Sequence, residues 1–482
     1  MTTTAEERLS PGPPAPASNR TILLASLVGT TVEWYDFFLY ATAASLVFPR
    51  LFFPAHDEVV GTLLAFGTFA VGFVARPIGG VLFGHIGDRL GRKRTLVATM
   101  VLMGAATALI GLLPGVATIG IAAPTLLVLL RILQGLAVGG EWGGAVLLAT
   151  ENAPPGRTGR FGSVPQIGLG LGLALGTGVF ALLGEVMGKD AFQSYGWRIA
   201  FVASVLLVAV GLVIRLRVLE TPEFRRLEQR GELAKVPIVE VFRTSRHRRG
   251  LGLGMLARWA EGASFNTWGV FAISYATATV HLSRVAVLLA VTAGALLMAL
   301  LVPVAGWLAD RYGRRLVFGT GVTLFGVSVV PSFFALHSGS TWLAVVVLIG
   351  QLGICYALMT GAEATMFAEL FDTGVRYTGM SLVFQGSGVW ASGLTPVFLT
   401  ALLAVGGGSP WAAGGYLAVV ALISLLAVVA MGRWIPVEDT ASAERRAVGS
   451  GGVASRGAGG GGAGGGGAGS GGAGGGAAAP VT

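Results

Sequence analysis

Apolar runs long enough to cross a bilayer recur along the whole chain. A spanning helix needs about 20 predominantly apolar residues. Runs of that kind lie near 21–47, 59–85, 94–113, 122–149, 162–184, 197–216, 251–279, 285–309, 316–336, 341–366, 377–404 and 411–433. They predict twelve transmembrane helices. The polar positions between them test this. One set of loops carries Arg89, Arg92, Lys93 and Arg94, then Arg157 and Arg160, then many cations from Arg217 to Arg249. The set continues with Arg311, Arg314, Arg315, Arg376 and Arg433. The alternate loops hold only Arg50, Lys189 and Arg284. Basic residues collect on the cytoplasmic side, so this alternation predicts both termini in the cytoplasm.

The longest interior polar stretch, Leu219 to Gly250, divides the spans into two groups of six. The expected order is an N-terminal tail (1–20), a six-helix bundle (21–216) and a linker (217–250). A second six-helix bundle (251–433) and a Gly/Ala-rich tail (434–482) follow. In the linker, Thr221 is placed to cap a short helix, with Pro222 at its first position. The tail has too few large apolar residues to fold a core. The two bundles echo each other. "GHIGDRLGRKR" from Gly84 follows the second span, and "GWLADRYGRRL" from Gly306 follows the eighth. "ENAPPGRTGRFGS" from Glu151 has its echo in "ELFDTGVRYTGMS" from Glu369. Matched pairs at nearly equal offset predict an internal parallel duplication, one of the known transporter architectures.

Composition agrees. The chain has 482 residues, 53% hydrophobic and 12% charged, with a mean hydropathy of +0.74. Globular domains carry roughly a quarter charged residues. The net charge of +9 does not require nucleic acid, because cytoplasmic loops account for it. Cys355 is the only cysteine, which excludes an intramolecular disulfide and disfavours a cysteine metal site.

The paired G-x-x-x-D-R-x-G-R-[KR] loops resemble the signature of the major facilitator superfamily. More narrowly, "VEWYDFFLY", "RPIGGVLFGHIGDRLGRK", "RILQGLAVGGEWGGAVLLATENAP" and "AELFDTGVRYTG" resemble the metabolite:proton symporter family. That family includes permeases for proline/betaine, alpha-ketoglutarate, citrate and shikimate. The resemblance implies an all-α membrane protein of two six-helix parallel-repeat bundles around a central cavity. It also implies that Asp88, Arg89, Arg92, Asp310, Arg311 and Arg314 latch the halves when the cavity opens outward. The alternative is that these charges only set topology. Two departures stand out. Gly361-Ala362-Glu363 replaces the family's usual G-P-Q and adds an acid. "RWAEGASF" on the seventh span resembles the shikimate branch more than the betaine branch.

Charges inside the spans mark the candidate site. Each costs about 2.5–3.5 kcal/mol at a helix centre, so such groups face a bundle interior and pair there. Glu33, Asp36 and Tyr40 share one face of the first helix, at i, i+3 and i+7. Arg131, Gln134, Val138 and Glu141 share a face of the fourth. Arg258, Glu261, Phe265 and Trp268 share a face of the seventh. Asp36, Glu33 and Glu141 are the candidates for proton coupling, with Arg131 and Arg258 as available basic partners. Arginine suits a carboxylate because its planar fork bonds both oxygens. Arg131, Gln134, Arg258, Glu261 and Tyr40 are the substrate-binding candidates. Gln166 and Gln385 fit either substrate hydrogen bonding or helix–helix contact. The charged stripes also admit a second reading, as ion pairs that only hold helices together.

Gly168, Gly172 and Gly176 recur every fourth residue and predict close helix packing rather than a dinucleotide loop. No ATP-binding, zinc or Ser/His/Asp signature is visible. The chain reads as a secondary transporter and not an enzyme, with no cofactor and no metal. The expected partners are a small polar solute, protons and the plasma-membrane bilayer, with no nucleic acid, for a monomer. The leading function is proton symport of a small organic acid. An exporter or an uncoupled facilitator on the same fold is the alternative.

Overall fold

The computed structural model describes residues 19–55, 57–90, 92–139, 146–147, 149–150, 153–217, 237–372 and 375–434. Glu141, the Thr221 helix and the Gly/Ala-rich tail lie outside the described residues, as do the side chains of Asp88, Arg89 and Arg92.

The long helices are α1 (Asn19–Leu46), α2 (Glu58–Leu90), α3 (Arg92–Leu112) and α4, described over Ala122–Val138. They continue with α5 (Thr158–Met187), α6 (Trp197–Arg217) and α7 (Ser245–Asn266). The set closes with α8 (Arg284–Tyr312), α9 (Arg314–His337), α10 (Thr341–Ala368), α11 (Arg376–Val405) and α12 (Trp411–Trp434). Eight of these are long and apolar enough to span a membrane among the described residues, and parts of α3 and α4 are shorter apolar helices. The other two, α1 and α7, carry buried charge in their middles, at Glu33 and Asp36 and at Arg258 and Glu261. A short helix, Pro237–Arg243, precedes α7.

Within the first half, α1 lies along α5, α2 along α4 and α3 along α6. Within the second, α7 lies along α12, and α9 packs on both α10 and α12. The halves meet along α5–α8 and α2–α11. The α1–α5 contact is the one the glycine period predicts. A Cβ on Gly172 would stand 2.6 Å from the Trp34 Cβ and 2.7 Å from the Tyr35 nitrogen. Only glycine lets the two backbones come that close.

The repeated loop has a local cause. α8 ends at Tyr312 and α9 begins at Arg314, so one residue makes the turn. That residue, Gly313, has φ +101°, a conformation that a side chain opposes. The second glycine of the motif is therefore a backbone requirement. Prolines inside α2, α8 and α9, at Pro77, Pro303 and Pro331, are tolerated because neighbouring helices re-satisfy the freed carbonyls.

Candidate functional site

α1 puts its acids into the interior of the first half. Asp36 is fully buried, and Glu33 is nearly so. Thr107, on α3, lies with its Oγ1 3.2 Å from Asp36 Oδ2. Gln134, on α4, donates from Nε2 to Thr107 Oγ1 at 2.7 Å. Arg131, one turn earlier on α4, donates from Nη1 to Gln134 Oε1 at 3.2 Å. Asp36 and Arg131 are thus connected by a four-residue relay across three helices. Tyr40 holds the far face of Arg131. Its ring centroid is 4.1 Å from the guanidinium carbon, and its hydroxyl donates to Thr68 Oγ1 on α2 at 2.6 Å.

A small cavity of about 10 Å3 sits at this relay, lined by Asp36, Arg76, Arg131, Gln134 and apolar neighbours. It has room for about one water. Arg76, on α2, is a residue that sequence reasoning missed. It is 2% exposed, and its guanidinium carbon lies 4.3 Å from the Phe37 ring centroid and 4.5 Å from that of Phe73. The charge of Glu33 acts on it. The available signal was an arginine inside an otherwise apolar span, which by itself flags a functional position.

The second half holds its own buried cluster. Arg258 Nη2 is 3.4 Å from Glu261 Oε2, one turn away on α7. Arg258 Nη1 donates to Ser387 Oγ on α11 at 3.2 Å, and its guanidinium lies 3.8 Å from the Phe384 ring centroid. The Tyr356 hydroxyl, from α10, donates to Glu261 Oε1. Further along that stripe, Phe265 meets Phe38 of the first half, with ring centroids 5.0 Å apart. Trp268 turns instead to Phe333, at 5.2 Å within its own half. Gln166 and Gln385 both bond across the halves. Gln166 Nε2 donates to Glu363 Oε1 at 2.7 Å, and Gln385 Nε2 donates to the Gly139 carbonyl at 3.1 Å. In this structure both act as helix-to-helix contacts, and Glu363 receives one of them.

At the end that carries the repeated loops, Asp310 grips the first half by its backbone. Its Oδ1 accepts from the Gly159 amide at 2.6 Å, and its Oδ2 from the Arg160 amide at 2.9 Å. Arg314 donates to Thr158 Oγ1 at 2.6 Å and also pairs with Glu369. Arg311 does not join this contact. It lies near the rings of Trp307 and Tyr312 on its own helix. At the opposite end, Ser45 Oγ lies 3.2 Å from the Val270 carbonyl, and the Thr177 and Thr292 hydroxyls are 2.8 Å apart. The halves therefore touch at both ends as well as through Gln166–Glu363 and Phe38–Phe265, and the small cavity lies inside the first half instead of between the two.

Asp310→Asn should loosen the loop end. One accepting oxygen becomes an NH2 group facing an N–H donor, and the charge is lost. Ser163, at that end, is fully buried. In a Cys355→Ser background, the Ser163→Cys thiol is expected to react with a maleimide several-fold faster once Asp310→Asn is added. Equal rates would remove Asp310 from the closing contact.

Comparison with known proteins agrees with this geometry. Residues 21–248 match the family model for sugar and other transporters, and residues 254–461 match that of the Major Facilitator Superfamily. The inner membrane metabolite transport protein YhjE of Escherichia coli K12 is 41% identical over 419 residues, 86% of this chain and 94% of that protein. The shikimate transporter of the same strain is 41% identical over 416 residues, again 86% and 94%. The crystal structure of a D-xylose-proton symporter superposes with a TM-score of 0.67 at 16% identity, covering 88% of this chain and 99% of that one. Taken with the two matched halves and the buried charges between them, these similarities make the chain a multi-pass membrane transporter, not an enzyme, and a member of the major facilitator superfamily.

Proposed function

We propose that this transporter moves a small organic acid together with a proton by alternating access between its two halves. The observation that carries the reading is the relay from Asp36 through Thr107 and Gln134 to Arg131. It connects a buried carboxylate to a buried guanidinium at one cavity through two neutral side chains. An organic anion entering beside Arg131 brings negative charge close to Asp36. A proton on Asp36 offsets that charge, so anion and proton favour each other's binding. Linked binding of this kind, with the empty and fully loaded forms able to interconvert, is symport. Glu33 and Glu141 are the reserve coupling groups. The arginine-rich loops support a cytoplasmic location for the repeated-loop end and both termini, in a plasma-membrane monomer.

The test is uptake into liposomes under an imposed pH gradient, with a panel of labelled organic acids, amino acids and betaines. An acid should accumulate inside when the outside is acidic, and collapse of the gradient should stop it. Uptake that ignores the gradient would leave facilitated diffusion. Proton release on substrate entry would instead indicate an exchanger.

Arg131→Lys tests the binding role. It keeps the charge but loses the fork. Half-saturating substrate concentration should rise at least tenfold, with protein level unchanged. A purely structural Arg131 predicts a different result. Protein level would fall in each single neutral variant, because breaking a buried charged network leaves one member uncompensated. The double neutral variant at Asp36 and Arg131 would then restore level and activity together.

A further inference from the structure

Glu363, on α10, takes no part in the first-half relay, yet it is only 1% exposed. Its Oε1 accepts from Gln166 Nε2 of α5 at 2.7 Å. Its Oε2 is buried and has no hydrogen-bond partner among the described residues. The charges that act on it, those of Glu261 and Arg258, both come from α7. Arg258 Nη2 already lies 3.4 Å from Glu261 Oε2. On α10 itself, the Tyr356 hydroxyl donates to Glu261 and not to Glu363. The other charged side chains toward the repeated-loop end are engaged elsewhere. Asp310 of α8 accepts from two α5 amides, Arg314 of α9 is held by Thr158 and Glu369, and Arg376 of α11 donates to the Phe371 carbonyl. Two buried acids therefore share one arginine. An ionised Glu363 would be a buried charge held by a single neutral amide donor, and a protein avoids that state by leaving a proton on the acid.

The bond to Gln166 joins the two halves. Between it and the repeated-loop end the halves are packed without slack. A Cβ on Gly162 would stand 3.0 Å from Thr365 Cγ2, and one on Gly306 would stand 2.7 Å from Ser163 Oγ. Beyond them, Asp310 grips the Gly159 and Arg160 amides. Gln166 lies about 10 Å along α5 from Gly159, at 1.5 Å per residue. Water from that end reaches Glu363 only when these contacts part, and their parting also takes Gln166 away. We propose that Glu363 is a proton-dependent latch between the halves: it holds a proton while α5 and α10 touch, and gives it up to water when the repeated-loop end opens. This rests on the alternating-access reading above and adds a positioning residue that the solute need not touch. The O–H bond breaks on opening and re-forms before closing, with the proton leaving to and returning from water on the same side. No proton crosses the membrane by this route, so the coupling role of Asp36 is separate. The closed form binds one proton more than the open form, so rising pH shifts the balance toward opening.

The test needs neither solute nor gradient. In purified, detergent-solubilised protein carrying Cys355→Ser and Ser163→Cys, the rate of thiol reaction with a maleimide reports opening of the repeated-loop end. It is measured from acidic to alkaline pH with and without Glu363→Gln, which stays neutral at every pH and keeps an oxygen for Gln166. The rate with Glu363 present, divided by the rate with Glu363→Gln, cancels the thiol's own pH dependence. That ratio should be close to one at acidic pH and rise several-fold at alkaline pH. An ionised acid beside the thiol would by itself disfavour the thiolate, so its direct effect has the opposite sign. A ratio that is constant across the pH range, or that falls, overturns the proposal. If Glu363→Gln does not fold, Glu363→Met serves, since it also cannot ionise. A rising ratio without gradient-driven uptake would sink the coupling reading and leave the latch standing. Gradient-driven uptake with a flat ratio would do the reverse.

Discussion

Asp36→Asn is expected to leave a transporter that exchanges its solute but cannot accumulate it. The substitution is isosteric and keeps an oxygen for Thr107, so the relay to Gln134 and Arg131 can persist. What it removes is the group that gains and loses charge. Exchange of labelled for unlabelled solute needs no net proton release and should run within a few-fold of the normal rate. Accumulation under a pH gradient should collapse at least tenfold, to the level of simple equilibration. Counterflow and accumulation measured on the same liposomes, normalised to protein level, decide the matter. Full accumulation would rule out Asp36 and move the coupling role to Glu33 or Glu141. The same variant should flatten the dependence of uptake rate on external pH, since the titrating group is gone.

Gly135→Ala should be a severely damaging small change in the first half. A Cβ there would stand 2.2 Å from the Gly72 carbonyl oxygen and 2.8 Å from the Ala75 Cβ. Ordinary contact needs roughly 3.5 Å, so α2 and α4 must separate by about 1 Å. Overpacking of this kind costs about 1–3 kcal/mol. It also pulls Arg76 away from Arg131, because each helix carries one of them. The expected result is a lowered melting temperature together with lost binding. Gly184→Ala is the control. It lies on α5 where an added Cβ meets nothing within 4 Å, and it should behave as the unaltered protein. Equal stability of the two variants would show that the α2–α4 crossing has slack that the geometry does not display.

Much of the fold was legible because a bilayer imposes a coarse rule on sequence. Twenty apolar residues, an arginine-rich loop and a repeated motif each survive local variation, and together they gave the helix count and the duplication. The helix faces were legible as well, since i, i+3 and i+7 spacing is a property of one helix. That is why Asp36, Arg131, Arg258 and Glu261 could be named, and all four are buried. Contacts between helices were not legible. Thr107 is one of three threonines on α3 and nothing in the spacing singles it out, yet it joins Asp36 to Gln134. Arg76 sits just before Pro77 and the repeated loop, so it read as part of that motif. Arg311 and Arg314 looked alike in sequence, three residues apart. The helix boundary at Gly313 falls between them and sends them to different surroundings.

The grip of Asp310 on two backbone amides has a genetic consequence. A carboxylate that reads N–H groups recognises no side chain, so its partner positions are constrained by space and not by charge. Arg160 can change type without loosening the contact. Gly159 cannot, because a Cβ there would stand 2.6 Å from Asp310 Oδ1. For the same reason, loss of Asp310 cannot be repaired by a compensating charge at positions 159 or 160. In a selection for restored transport in an Asp310→Asn strain, second-site revertants should map away from those two residues. They should fall where the opposite end closes, around Ser45, Thr177, Val270 and Thr292. Weakening that closure rebalances the two open states without restoring the lost contact.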